Sequence, residues 1–414
     1  MSDKNINIDF NLTKLIIDQR KHLKLSLREL SQLTLYSYQT LSKYETGVIE
    51  LNKTNRVVLY EKLHINVEEV DYMTYDFKND LDQLFESLVY DEQDMIKSLF
   101  TKMSIASKYL DYTKYKEEFI TLQLIVSILN NDSLTIEQID DSKYNSFKAY
   151  YQQWIYDYLS IYYLKNNNLI KAVALIDKAL SLGFNESNSG LVNYHAGIIY
   201  SVYGQLLKAK HYLEIAETYF IKQRNNIRLI NLQIQLTTVE SKLGQVNKAR
   251  ASYLRLLKDI EKINDEYLLT VVYHNLSWLE YRQENYKVSL NYLDKLEKFQ
   301  TLDENDLITK MLCLTELEQF DESDSIYKNN TFIDKMYSSY SEIIHIENIH
   351  KIDKNYESKC IELYHVIKDK RDFENVEIVI FKLLDYYEKN RLYKNAYELA
   401  KELYSYKDGV YQLD

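Results

Sequence analysis

The sequence has no proline, seven glycines and two cysteines among its 414 residues. Sandwiches and barrels depend on proline and glycine for their many turns, so an all-β fold is excluded, as are collagen-like and Gly/Ser-linker architectures. Forty tyrosines beside no proline also reflect a nucleotide bias, since the codons of proline, glycine and alanine are GC-rich. Cys313 and Cys360 lie 47 residues apart without a C-x-x-C pair, which implies neither a disulfide framework nor a zinc site. No run of 18 apolar residues occurs, so no membrane span is expected. The opening MSDKNINIDFNLTK lacks the apolar stretch of a signal peptide, and a cytoplasmic location is expected. There is no P-loop, no G-x-G-x-x-G, no G-x-S-x-G and no H-E-x-x-H; neither catalysis nor a cofactor is expected. The histidines are scattered, and His345 and His350 stand five apart rather than at the spacing of a helical zinc pair, so no metal is expected.

What is present divides the chain in two. At this length two to four domains are expected, or one small domain and a repeat array. The net charge is −11, with 46% hydrophobic and 27% charged residues. Residues 1–70 hold ten Lys/Arg and nine Asp/Glu; residues 71–414 hold the other 41 and 53. A uniformly acidic chain is a poor partner for nucleic acid, but here the balance is slightly positive at one end and strongly negative over the rest.

In the first part, Leu12, Leu15 and Ile16 mark a short helix. Ser26 opens Leu27-Arg28-Glu29-Leu30 as a capping box, with Leu30 and Leu33 expected to face a core. Thr34-Leu35-Tyr36 reads as a tight turn. Ser37 caps a next helix ending at Gly47, and further helices are expected near Lys53–Leu63 and Val67–Tyr72. Two short helices around a tight turn make a helix-turn-helix, whose second helix lies in the major groove. The run SLRELSQLTLYSYQTLSKYETG is similar to the Xre/Cro-type helix-turn-helix family, most specifically in LSKYETG, over about residues 11–70. Leu27 stands where that family often has a DNA-contacting Gln, and the proline common after the glycine is missing. The resemblance implies that Tyr38, Gln39, Thr40 and Lys43 face the groove, with Gln39 suited to an adenine edge and Tyr38 to a thymine methyl or a phosphate. Arg28, Ser37, Ser42, Thr46 and Lys53, together with Ser26 and Asn55, fit phosphate contacts or caps. A weakly positive domain implies modest affinity as a monomer, so a homodimer on a two-fold operator of double-stranded DNA is expected.

In the second part a period appears. Small residues recur at Ala172, Ala209, Ala249, Ser289, Ser323 and Ala396, with gaps of 37, 40, 40, 34 and 73, the last about two periods. A degenerate unit around Tyr356–Cys360 fits the missing place. Three residues before the small positions stand Leu169, Leu206, Val246, Tyr286, Phe320 and Tyr393, and five before stand residues such as Asn167, Gly204 and Gly244. This reads as stacked helix hairpins, each burying its neighbour's apolar face. The segments TVVYHNLSWLEYRQENYKVSLNYLDKL and YHAGIIYSVYGQLLKAKHYLEIAETYF resemble tetratricopeptide repeats, over roughly residues 145–405. That resemblance implies a superhelix whose concave face, lined by the first helix of each hairpin, binds an extended peptide. Fourteen residues before the small positions lie Tyr158, His195, Gln235, Asn275 and Thr309. Asn231, Thr238, Lys242, Trp278, Tyr281 and Arg282 share the face. Carboxamides can pair with a peptide backbone, Lys242 and Arg282 can hold a carboxylate or a C-terminus, and Trp278 and Tyr281 can give apolar contact.

The expected architecture is therefore all-α: a five-helix helix-turn-helix domain at 1–72, an irregular helical connector at 73–144, and a tetratricopeptide-like repeat domain at 145–414 ending in capping helices. A helix-turn-helix followed by such an array resembles the RNPP group of Gram-positive regulators. The resemblance implies a cytoplasmic, dimeric quorum-sensing transcription regulator whose repeats bind a short signalling peptide. Two other readings stay open: a scaffold whose repeats grip a protein, and a mobile-element repressor with no small ligand.

Overall fold

The computed structural model describes residues 10–183, 188–370 and 372–410. Every regular element among them is helical. The residues separate into two compact units, 1–159 with 181–188 and 160–180 with 189–414. Among the described residues no helix is long and apolar enough to cross a membrane.

The first unit begins with five short helices, α1 (Leu12–His22), α2 (Leu27–Thr34), α3 (Tyr38–Glu45), α4 (Lys53–Lys62) and α5 (Val67–Tyr75). Local chemistry starts each one. Asn11, Ser26, Ser37, Asn52 and Asn66 cap them through their side chains, and Ser26 with Glu29 completes the capping box. Leu35 takes the left-handed conformation that turns α2 into α3. Leu30, Leu41, Tyr44, Leu59 and Leu63 fill the core between them. Leu33, expected in that core, is 46% exposed. An eight-residue helix buries a single stripe, and α2 spends it on Leu30 and Thr34, one turn apart.

No linker follows. Helix α6 (Phe77–Tyr90) starts two residues after α5 ends, and α7 (Gln93–Ala106), α8 (Lys116–Leu129), α9 (Ile136–Ile139) and the start of α10 (Ala149–Lys165) complete the unit. The amide of Asn11 donates to the Tyr112 carbonyl, and Phe10 bridges Thr113, so the start of α1 is tied to the segment after α7.

The second unit is a series of helix hairpins. α11 (Leu169–Ser181) is followed by α12 (Ser189–Tyr203) with α13 (Leu206–Lys222), α14 (Asn226–Lys242) with α15 (Val246–Ile263), and α16 (Glu266–Arg282) with α17 (Tyr286–Leu296). Then come α18 (Glu304–Glu316) with α19 (Phe320–Asn329), α20 (Lys335–Asn348) with α21 (Lys354–Asp369), and α22 (Phe373–Lys389) with α23 (Tyr393–Val410). First helices of successive hairpins also touch, α12 with α14, α14 with α16 and α16 with α18. Ala172, Ala209, Ala249, Ser289, Ser323 and Cys360 are all fully buried, so Cys360 fills the place the period left vacant. A Cβ on Gly197 would meet Leu213 at 2.5 Å, which is how closely α12 and α13 approach.

Five positions before Ala172, Ala209, Ala249, Ser289, Ser323 and Ala396 lies the turn of the hairpin. Asn167, Gly204, Gly244, Glu284, Glu318 and Arg391 all have φ between 58° and 92°. With so few glycines, the chain places side chains where a left-handed backbone costs about 1–2 kcal/mol. Glu284 is exposed, so Glu284→Gly should stabilise the protein by roughly 0.5–1 kcal/mol, and Gly244→Ala, which meets no neighbour, should destabilise it by a similar amount. Thermal melts of the two variants check this; shifts of the same sign would contradict it.

Candidate functional site

The exposed side of α3 and its flanks carries most of the residues expected to meet DNA. Arg28, Ser37, Tyr38, Gln39, Lys43, Thr46 and Lys53 are exposed; Thr40 and Ser42 are half-buried. Several have local duties. Ser37 Oγ accepts from the Thr40 amide and pairs with its hydroxyl, and Thr46 Oγ1 donates to the Ser42 carbonyl. Lys53 pairs with Asp71 at 2.8 Å across an exposed surface. Tyr38, Gln39, Arg28 and Lys43 hold no side-chain hydrogen bond or ion pair among the described residues. Behind this surface, Arg20 grips Glu45 in a two-pronged ion pair (Nε–Oε1 2.7 Å, Nη2–Oε2 2.9 Å) and donates through Nη1 to the Leu25 carbonyl. The pair is about 12% exposed and fixes the end of α1 to the end of α3. Glu45 stood out in the sequence as part of LSKYETG, but nothing there pointed to Arg20 as its partner.

In the repeats, α14 presents Asn231, Gln235, Thr238 and Lys242 at helical spacing, all half-buried. Thr238 Oγ1 donates to Ile234 and meets the Tyr253 hydroxyl at 2.7 Å. Neighbouring α16 presents Asn275, Trp278 and Arg282. The Asn275 amide donates to the Val271 carbonyl, so part of its capacity is used within its own helix. Trp278 and Arg282 reach α22: the indole Nε1 donates to Glu374 Oε2 at 3.1 Å, Arg282 Nη1 to the Glu374 carbonyl at 3.1 Å, and Arg282 Nη2 pairs with Glu377. The remaining expected positions are buried. His195 is 8%, Tyr281 9% and Thr309 2% exposed, and Tyr158, in the first unit, is 2% exposed and stacked on Trp154. Tyr281 packs on Trp278 and Tyr286. The structure thus brings Asn231, Gln235, Thr238, Lys242, Asn275, Trp278 and Arg282 to two adjoining helices, and places Tyr158, His195 and Tyr281 in the interior.

Two features escaped sequence reasoning. His274 Nδ1 lies 2.6 Å from the buried Asp306 carboxylate, joining α16 to α18, and the Asp303 carboxylate completes a group of three whose ligand-type atoms lie within 4.8 Å of one another. Burial pushes the imidazole down, but the Asp306 hydrogen bond and the charges of Asp306 and Asp303 leave it above its usual value. An imidazolium held in this way stabilises the fold below the ordinary histidine pKa, and that contribution is lost as pH rises through the raised one. Melting temperature should therefore fall more steeply between pH 6 and 8 in the parent protein than in His274→Gln. Parallel profiles would contradict the pairing. The second feature is a buried network, Lys382 with Glu347 and Tyr356. Cys313 and Cys360 are buried free thiols, pushed by burial up to about 11 and about 12.

No protein-family model matches the chain, and no curated protein matches it. Solved structures do. The chain is similar to a Rap protein complexed with competence and sporulation factor (14% identity, TM-score 0.68, covering 81% of this chain and 98% of that one). It is similar to NprR in complex with its cognate peptide NprX (16%, TM-score 0.63, 79% and 99%) and to phAimR (12%, TM-score 0.52, 90% and 96%). At these identities the likeness establishes the fold: an all-helical chain with tetratricopeptide-like repeats.

Proposed function

We propose that the protein is a peptide-responsive transcription regulator of the RNPP kind. Its helix-turn-helix binds operator DNA as a homodimer, through Tyr38, Gln39, Thr40 and Lys43 at base edges and Arg28, Ser37, Ser42, Thr46 and Lys53 along the backbone. The repeats take up a short signalling peptide along α14 and α16, using Asn231, Gln235, Thr238, Lys242, Asn275, Trp278 and Arg282. Tyr281, buried in α16, packs on Trp278 and supports it from within. The observation that carries the reading is the half-buried polar row on α14 and α16, in a fold whose Rap and NprR examples were crystallised with a peptide or peptide factor. The exposed, uncommitted side chains of α3 support the DNA half.

A peptide changes DNA affinity only as far as it prefers one state of the dimer, typically 5–150-fold. The test is a fluorescence-anisotropy titration of labelled DNA from upstream of the gene, with and without a pool of short synthetic peptides encoded nearby. At least a fivefold peptide-dependent change on specific DNA, absent on scrambled DNA, is expected. Binding that ignores DNA sequence with and without peptide would contradict the proposal.

A further inference from the structure

The contacts of α22 with α16 have the character of ligand recognition. Glu374 is held twice, by its carboxylate on the Trp278 indole and by its backbone carbonyl on Arg282. Glu377, one turn on, pairs with the same guanidinium, and the two charged side chains are 26% and 16% exposed. An arginine and an indole N–H reading both main chain and carboxylate make a peptide-binding pattern. A carboxylate-bearing segment therefore already sits against Trp278 and Arg282, two of the residues assigned above to the peptide.

We propose that Trp278 and Arg282 form a carboxylate subsite, that Glu374 and Glu377 are its internal occupants, and that an acidic short peptide binds by displacing them. This rests on the peptide-receptor reading and adds the ligand's chemistry and a built-in competitor. The competitor is tethered, so its effective concentration is high and only a peptide that matches more of the α14 and α16 rows displaces it. Displacement frees the start of α22 from α16, which couples occupancy to the position of the last hairpin.

The test uses a fluorescent synthetic peptide copying residues 372–378, blocked at both ends so that its only carboxylates are side chains. Full-length protein carrying Glu374→Gln and Glu377→Gln should bind it at least tenfold more tightly than the parent protein, where the internal copy competes. A control peptide with glutamine at both glutamate positions should bind the same variant at least tenfold more weakly. Trp278→Phe, which keeps an aromatic ring but removes the indole N–H donor, and Arg282→Gln should each reduce binding in that background. Equal binding by parent and variant, equal binding of the two peptides, or no binding to the variant would overturn the proposal. The two readings fail separately. If the variant captures the probe but no peptide alters DNA affinity, the subsite stands and the receptor reading falls. If peptides alter DNA affinity equally in parent and variant, the receptor reading stands and internal occupancy falls.

Discussion

Replacing Glu347 with alanine should cost the second unit about 3–5 kcal/mol, the largest loss expected from any single substitution considered. Glu347, on α20, accepts from the single Nζ of Lys382 on α22 with both carboxylate oxygens, at 2.8 and 2.7 Å, and takes a hydrogen bond from the Tyr356 hydroxyl of α21 at 2.7 Å. The lysine and glutamate side chains are 15% and 14% exposed. Removing the carboxylate leaves a largely buried ammonium without its ion-pair partner and a phenol without its acceptor, so both lose the bond that offset their desolvation. This effect is distinct from simple loss of packing. Glu347→Met together with Lys382→Met removes both charges and should recover most of the loss, because paired charges of this kind return little more than their desolvation cost. Denaturant melts of the two variants measure it. A Glu347→Ala loss under 1 kcal/mol, or a double variant no better than the single, would show that the network does not hold the three helices.

The second large effect concerns DNA. Gln39→Ala should weaken binding to the specific operator by about 5–150-fold, the value of a carboxamide paired to an adenine, and should relax preference at that position. Lys43→Ala should weaken binding more evenly across sequences and lower the salt slope by roughly 1 if its contact is a phosphate. Neither residue contributes to the core, since Leu41 and Tyr44 occupy the buried face of α3, so both variants should melt with the parent. Competition binding against mutated operators checks this. Unchanged affinity with unchanged melting would remove α3 from the interface.

Much of the fold was legible because it is local. Ser26 and Ser37 cap the helices they were expected to cap, since a cap needs only the next three residues. The small-residue period was legible because Ala172, Ala209, Ala249, Ser289 and Ser323 are fully buried, as is Cys360; Ala396, in the last hairpin, is half-buried. The left-handed turns are also local, yet only those carrying Gly or Asn announce themselves; Glu284, Glu318 and Arg391 do not. The site was less legible. A helical period assigns a residue to a face but does not say how deep that face lies, so Tyr158, His195 and Tyr281 were expected beside Asn275 and are in fact buried. Nor does the period name partners far away in the chain. Trp278 and Arg282 meet residues 92 to 96 positions on, and Arg20 meets Glu45 across 25. Such pairs follow from how hairpins stack, which no single segment encodes.

The central claim is that this chain reads DNA through its first helices. Its most direct test is the affinity of purified protein for fragments of its own upstream region across a salt series, with scrambled fragments alongside. The account predicts preference for one fragment that persists at physiological salt, with a slope set by the few phosphates its small basic surface can meet. Weak, steeply salt-dependent binding that does not distinguish the fragments, with or without peptide, would contradict it.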